Sequence, residues 1–369
     1  MKDGRRLLLM RGVAFLQPEV PHYRREFFDI LRSKLKEVDI YVYNSLEKAK
    51  KQGFSVESKE MKYISNVNIK GVVIYNPMEL LHSKYDILVL MLQFSHITTW
   101  LLLLTKFIHH KKIVLWGQGI SVKRYLKEEQ KPDWKLKWMI SLSDGIMLYT
   151  EKELDMWRKV FPDKKIIALN NTLTGAKEMT EYVSRKSKAE LKEEYGIKEE
   201  TILIFCARFE SNYRRTDLLL ETIKRLDNNK FGFIIIGAGK NKPDFSAYHN
   251  VYDYGAIYDT NKKRDLFSIA DVYFQPGWVG LSIVEAMAYG KPVFTFKRSE
   301  QTKQCVEYGY IENGKNGLIF ENIEECIYAI MNLSRAEILQ LGCNAKKYVE
   351  SKLMPEQMAN HALSLISKI

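Results

Sequence analysis

The residues best able to do chemistry lie in the run Gln275–Val293, QPGWVGLSIVEAMAYGKPV. It reads as a strand end, a glycine loop, a helix opening at Ser282 and a stop at Gly290. Loop glycines at 277 and 280 allow close approach of the backbone, because no Cβ stands in the way. The first amides of a helix lack partners within it and favour an anion such as phosphate. Glu285 stands three residues on from Ser282, where a carboxylate can hold a pair of sugar hydroxyls. Phosphate beside ribose describes a nucleotide. The same spacing also fits a capping box, in which Ser282 and Glu285 bond each other's backbone amides.

A second cluster follows the apolar run Ile202–Cys206, where Arg208, Arg214 and Arg215 precede Asp217. Arg208 and Arg214 are candidates to neutralise a diphosphate and to stabilise the charge that grows on it as a bond breaks. A solvated basic loop is the plainer alternative. Ile236, Gly237, Ala238 and Gly239 form a further turn after a strand. The third glycine of a dinucleotide fingerprint is missing there, and no helix opens directly after it.

Around these sites the chain alternates short apolar runs with helical patterns. In the amino half, strands are expected at Leu7–Leu16, Ile40–Tyr43, Ile87–Leu92, Lys112–Leu115 and Gly145–Tyr149. Helices are expected at His22–Lys36, Thr98–Ile108, Trp134–Ile140 and Glu151–Val160. A second series begins at Thr201, with strands at Ile202–Cys206, Phe233–Ile236, Val251–Tyr254, Val272–Gln275 and Val293–Phe296. Alternation of this kind predicts parallel sheets covered on both faces. The polar stretch Asn170–Ser184 marks the break between two α/β domains, whose ligands belong at the carboxyl ends of the strands.

Composition sets the remaining bounds. A chain of 369 residues with 46% hydrophobic content can bury two cores. Four scattered cysteines, with no C-x-x-C pair, suit a reducing cytosol. The formal charge of +12 calls for a polyanionic neighbour. No RNA-binding or zinc-finger signature is present, so an anionic membrane face is expected ahead of nucleic acid. Met1–Arg6 is basic but leads only into a short strand, so no signal peptide is expected. The apolar stretch Tyr85–Ile108 is interrupted by Gln93, Ser95, His96 and Lys106, and it reads as a strand and helix rather than a membrane span.

The run Gly280–Val293 resembles the nucleotide-sugar signature of retaining glycosyltransferases of family four, E-G-F-G-L-P-x-x-E-A-M-A-x-G-x-P-V. The loop from Arg208 to Leu220 is similar to that family's G-R-L-x-x-x-K-G-x-D-L-L-L, with one extra residue, and Gly314–Phe320 to its N-G-L-L-F strand. The resemblance implies a GT-B architecture of two facing Rossmann-like domains with a cleft between them. It implies an acceptor-binding domain at 1–175, a nucleotide-sugar domain at 176–352, and a helix at 353–369 packing back on the first. The implied reaction moves a hexose, with retention, from a nucleotide-diphosphate sugar (UDP ahead of GDP) to a lipid-linked or saccharide acceptor in surface polysaccharide assembly. No separate cofactor and no metal are implied, since no D-x-D motif is present. The expected location is cytoplasmic, peripheral on the inner face of the membrane.

Residue by residue, the resemblance gives Arg208, Arg214 and Glu285 catalytic and donor-binding roles. Gly280, Leu281 and Ser282 join them around the donor, and Gly255 and Ile257 match a segment whose backbone meets the base. His22, placed by its position in the loop after the first strand, is a candidate contact to acceptor or donor and the fourth catalytic candidate, with an ordinary surface histidine as its plain alternative. Gln118 stands where many relatives place a histidine against the donor sugar, and it cannot exchange protons at neutral pH. His96 is a further candidate, with a packed histidine as its plain alternative. The family's first glutamate falls on Gly277, so only Glu285 remains of the E-x7-E pair. That loss leaves open a nucleotide-binding module without transferase activity, and the basic charge leaves open a nucleic-acid binder.

Overall fold

The computed structural model describes residues 11–45, 47 and 61–369. The expected basic start Met1–Arg6 and the strand opening Leu7–Met10 lie outside the described residues. Two compact units make up the chain: residues 1–174 with 355–369, and residues 175–354.

The first unit is built on a seven-stranded parallel sheet. Its strands are β1 (Gly12–Gln17), β2 (Glu37–Val42), β3 (Lys62–Tyr63), β6 (Ile87–Met91), β7 (Lys112–Gly117), β8 (Gly145–Leu148) and β9 (Ile166–Ala168). The sheet order is β3-β2-β1-β6-β7-β8-β9. β1 pairs in parallel with both β2 and β6, and all six of its residues are buried. A strand covered on both faces must be apolar throughout, and β1 and β6 are nearly so. One face is covered by the helix Arg25–Lys34, which buries Phe27, Phe28 and Leu31. Met358, Ala362 and Ile366 of the helix Pro355–Ile366 complete that core.

Two expectations need correction in this unit. The expected helix Thr98–Ile108 is two pieces, Ile97–Leu104 and Lys106–His109, broken at Thr105. The Thr105 hydroxyl bonds the Leu101 carbonyl at 2.7 Å, a local bond that competes with the helix ladder. The expected helix from His22 begins as a 3-10 turn, His22–Arg24, and becomes α-helical at Arg25. An antiparallel hairpin, β4 (Asn66–Ile69) and β5 (Val72–Tyr75), stands apart from the sheet.

The second unit carries a six-stranded parallel sheet of β10 (Thr201–Cys206), β11 (Phe231–Ile236), β12 (Val251–Asp253), β13 (Val272–Phe274), β14 (Val293–Phe296) and β15 (Gly317–Phe320). Its order is β12-β11-β10-β13-β14-β15. Counted within this domain, that is the doubly wound order 3-2-1-4-5-6, whose direction reverses between β10 and β13. Phe205, Phe209, Leu219, Phe233 and Phe274 anchor the core on one face. The helix Ser282–Ala288 buries Ile283, Val284 and Met287, each contributing about 1.5–3 kcal/mol of hydrophobic stabilisation.

Candidate functional site

The crevice at a reversal point is framed by the strands on either side of it, here β10 ending at Cys206 and β13 ending at Phe274. Arg208 and Arg214 follow the first, and Gln275, Trp278 and Ser282 follow the second. The Arg214 guanidinium donates from Nε to the Arg208 carbonyl at 3.1 Å and from Nη1 to the Trp278 carbonyl at 2.7 Å. It makes no ion pair with any described carboxylate. Burial pushes its pKa down, and the nearby charge of Arg208 acts in the same direction. Arginine nevertheless stays protonated, so a half-buried cation faces this region without an anion to balance it. Arg208 itself is exposed at the end of β10.

Trp278 holds the two loops together. Its backbone is left-handed, at φ 53°, which is strained for a bulky residue. Its amide donates to the Lys303 carbonyl at 2.8 Å, and its carbonyl accepts from Arg214 and from Gln275 Nε2 at 2.8 Å. Its ring stacks on Tyr213 at 4.8 Å and 18°. The strain is therefore over-determined by its surroundings. Gln275 is fully buried and links this loop to the helix beyond: its Oε1 accepts from Ser282 Oγ at 3.1 Å. The buried Tyr273 hydroxyl lies 2.7 Å from Gln275 Oε1, 3.0 Å from Ser282 Oγ and 3.0 Å from the Cys206 carbonyl.

The capping box does not form. Leu281 is the N-cap residue, and no side chain caps the helix. Ser282 is engaged by Tyr273 and Gln275. Glu285 Oε2 pairs instead with Lys263 Nζ at 2.6 Å. Burial opposes the charge on Lys263, but the neighbouring Cys206 and Glu285 outweigh it, so its pKa rises above the usual range. The helix is only seven residues long, and the amides of Ile283 and Val284 already bond the Gly280 and Leu281 carbonyls at 3.1 Å. An anion here must be met by loop amides before Ile283 and by Arg214, rather than by the helix end expected from sequence alone.

Gly277 occupies a position that no larger residue fits. A Cβ there would lie 2.4 Å from the Tyr213 carbonyl oxygen and 2.8 Å from Arg215 Cγ. The loop that carries Arg214 therefore lies directly over the position where the resemblance would place a glutamate. Gly280, by contrast, has room, because a Cβ there would stand 3.6 Å from Cys305 Sγ. The turn after β11 closes beneath Ala207, whose carbonyl oxygen would lie 2.1 Å from a Cβ on Gly237. Gly237 donates to the Gly255 carbonyl at 2.7 Å, which brings the Gly255–Ile257 segment to the same end of the sheet.

The first unit has its own polar cluster at the ends of β1, β7 and β8. Arg24 is buried and donates to Gln17 Oε1 at 3.0 Å and to the Tyr149 hydroxyl at 2.9 Å. Its guanidinium lies 4.6 Å from the Trp116 ring centroid. His22 is exposed, two residues before it, and packs edge-on to Tyr23. Gln118 is half-buried just beyond β7. His96 is buried between Tyr43 and Tyr75, and burial pulls its pKa down to about 4, so it is a packed neutral histidine.

Sequence reasoning missed Lys263, Gln275, Tyr273 and the Tyr213–Trp278 stack. Lys263 carried no spacing signal, because the helix Thr260–Ile269 and the helix Ser282–Ala288 meet only in three dimensions. Gln275 could have been suspected as a polar residue ending an otherwise apolar strand. All four cysteines are unpaired. Among the described residues, no group of three His, Cys, Asp or Glu could hold a metal ion, and no helix is long and apolar enough to cross a membrane.

Residues 200–336 match the family described as glycosyl transferases group 1. That stretch is similar to a glycosyltransferase group 1 domain. It contains Arg208, Arg214, Gly255, Lys263, Gly277, Ser282 and Glu285, the whole cluster of the second unit. An uncharacterized glycosyltransferase of Haemophilus influenzae is 26% identical over 228 residues, 59% of this chain. The match spans 58% of that relative's length.

Solved structures extend the likeness beyond the group 1 domain to the fold. HepE of Anabaena in complex with UDP superposes with a TM-score of 0.67 at 14% identity, covering 97% of this chain and 100% of HepE. The lipopolysaccharide outer core galactosyltransferase WaaB, in its apo form, gives 0.65 at 14% identity, with the same coverage of the two chains. The fold is GT-B, with two Rossmann-like domains.

Proposed function

We propose that this chain is a retaining, metal-independent glycosyltransferase that moves a hexose from a nucleotide-diphosphate sugar to a lipid-linked or saccharide acceptor. The observation that carries the reading is Arg214, a half-buried guanidinium held by two carbonyls and left without a carboxylate, inside a group 1 domain. A donor diphosphate supplies the missing charge. As the bond between the anomeric carbon and the β-phosphate oxygen breaks, negative charge grows on that oxygen, and Arg214 with Arg208 stabilises it. The acceptor hydroxyl attacks from the same face, and its proton passes to the departing phosphate. Such a route rests on positioning and leaving-group stabilisation and calls for no side-chain base. Glu285, oriented by Lys263, holds the ribose hydroxyls, with Gly280, Leu281 and Ser282 against the phosphates and Gly255 and Ile257 near the base.

UDP is the favoured carrier, in keeping with HepE, whose structures are described with UDP and with UDP-glucose. His22 and Gln118 belong to the acceptor-binding domain in this reading. The charge of +12 favours work at the inner face of a membrane, in surface polysaccharide assembly. Gly277 favours a second reading, a nucleotide-binding GT-B module without transfer, because the donor-sugar glutamate has no place there.

Titration with UDP and with GDP in the presence of EDTA, followed by turnover of the matching nucleotide-hexoses with a bacterial lipid extract as acceptor, tests both. Binding with turnover and a retained anomeric configuration supports the first reading. Binding without turnover selects the second. Absence of UDP and GDP binding overturns both.

A further inference from the structure

The hairpin β4–β5 turns its apolar side outward. Its register places Val67 opposite Ile74 and Ile69 opposite Val72, so these four share one face. Their exposures are 56%, 47%, 63% and 40%, whereas Val73 and Tyr75 on the other face are buried. A half-buried hairpin in water should instead turn polar side chains outward. The turn between the strands is Lys70-Gly71, both left-handed, and it places an exposed cation at the tip.

The hairpin is joined to the start of the helix Ile97–Leu104. The Val73 amide donates to the Ser95 carbonyl at 3.0 Å, and the Tyr75 amide to Thr98 Oγ1 at 3.0 Å. That helix is two-sided: Thr98, Thr99, Leu102 and Leu103 are buried, while Ile97, Leu101 and Leu104 are about half exposed at spacing i, i+4, i+7. Phe107 and Ile108 continue the exposed apolar surface at 74% and 65%. The helix Trp134–Leu142 adjoins, with Trp100 and Trp138 in ring contact at 5.5 Å. Trp134 and Trp138 are exposed one turn apart, and the Lys135 ammonium sits 5.0 Å from the Phe94 ring centroid.

We propose that this face of the first domain is a docking surface for an anionic lipid bilayer. The choice of occupant follows from charge as well as apolarity. Lys70 at the hairpin tip and Lys135 and Lys137 on the tryptophan-bearing helix are exposed, whereas Lys106 and Lys112 are already paired with Asp144. A protein partner of ordinary composition would be matched by mixed charge, whereas aliphatic and tryptophan side chains rimmed by lysines fit the acyl–headgroup boundary of a negatively charged leaflet. Insertion is shallow, because the helix Ile97–Leu104 is far too short to cross a bilayer. The surface would deliver the enzyme to the lipid-linked acceptor of the proposed reaction, and to that extent it rests on that reading.

The test is co-sedimentation of the full chain with vesicles of phosphatidylcholine alone and of equal parts phosphatidylcholine and phosphatidylglycerol. Binding is expected only to the mixed vesicles and should weaken with salt. The double variant Ile69→Ser/Trp134→Ser should lower it at least about tenfold with an unchanged melting temperature. Lys135→Gln and Lys137→Gln should each lower it about fivefold. UDP binding, measured in parallel, reports the transferase reading separately and should not move in any of these variants. Equal binding of wild type and the Ile69→Ser/Trp134→Ser variant to mixed vesicles overturns the proposal. So does a lack of vesicle binding, whether or not a concentration-dependent dimer, lost in that variant, shows a second copy covering the face.

Discussion

Replacing Gly277 by alanine is the sharpest test of how the proposed donor site is built. The added methyl would lie 2.4 Å from the Tyr213 carbonyl oxygen, about 1 Å inside ordinary contact, and 2.8 Å from Arg215 Cγ. Neither neighbour can yield alone. Tyr213 is stacked on Trp278, and Arg215 is tied to Asp217 at 2.7 Å and to the Thr302 hydroxyl. Overpacking of this kind costs about 1–3 kcal/mol. For a domain of this size it should lower the melting temperature by roughly 2–12 °C, read by circular dichroism. Relief of the strain must displace the 213–215 loop, and with it Arg214. If about 1.4 kcal/mol of donor binding is lost, UDP affinity measured by calorimetry falls about tenfold. Gly277→Glu should be at least as damaging and should not restore a sugar contact. A Gly277→Ala protein that melts within about 1 °C of wild type and binds UDP equally would refute the packing argument.

Three further perturbations separate the roles assigned above. Glu285→Gln keeps the shape but removes the charge that pairs with Lys263 and the strong acceptor proposed for the ribose. UDP should bind about tenfold more weakly by calorimetry, and unchanged affinity would remove Glu285 from the site. Arg214→Lys keeps a cation but cannot reach the Arg208 and Trp278 carbonyls together, so stability should drop by about 1–2 kcal/mol in urea unfolding, alongside weaker UDP binding. His96 has a folded pKa near 4 against about 6.5 unfolded, so the unfolded chain takes up a proton that the folded chain refuses. Stability should therefore be level above about pH 6.5 and fall by up to about 3 kcal/mol toward pH 4, and His96→Gln should lose that component in urea unfolding at several pH values.

Much of the architecture was legible because both domains use strands buried on two faces. An unbroken apolar run such as Ile202–Cys206 between polar segments has few other meanings. The hairpin β4–β5 escaped notice for a physical reason. In β4 the aliphatic residues alternate with asparagines as in any half-buried strand, β5 is apolar throughout, and nothing in the pattern tells which side faces water. The break at Thr105 was hidden by a long apolar period that runs across it. At the site, Arg214 and Glu285 could be placed from linear motifs because each sits within one loop or one helix turn. The pairing of Glu285 with Lys263 could not, since it depends on how the crossover helix Thr260–Ile269 approaches the helix Ser282–Ala288. Ser282 shows the opposite limit. Its spacing to Glu285 allowed a capping box, and only the hydroxyl of Tyr273 and the amide of Gln275 decide against it.

The helix Pro355–Ile366 belongs to the first domain although the whole second domain precedes it in the chain. During synthesis the first domain therefore waits, with the apolar sides of Phe28 and Leu31 lacking their final cover, until that helix leaves the ribosome. The intervening residues 175–354 number about 180, and at about 5–20 residues per second the delay is roughly 10–40 seconds. The order of manufacture is thus the reverse of the order of completion. The second domain can finish folding first, and the first is sealed last.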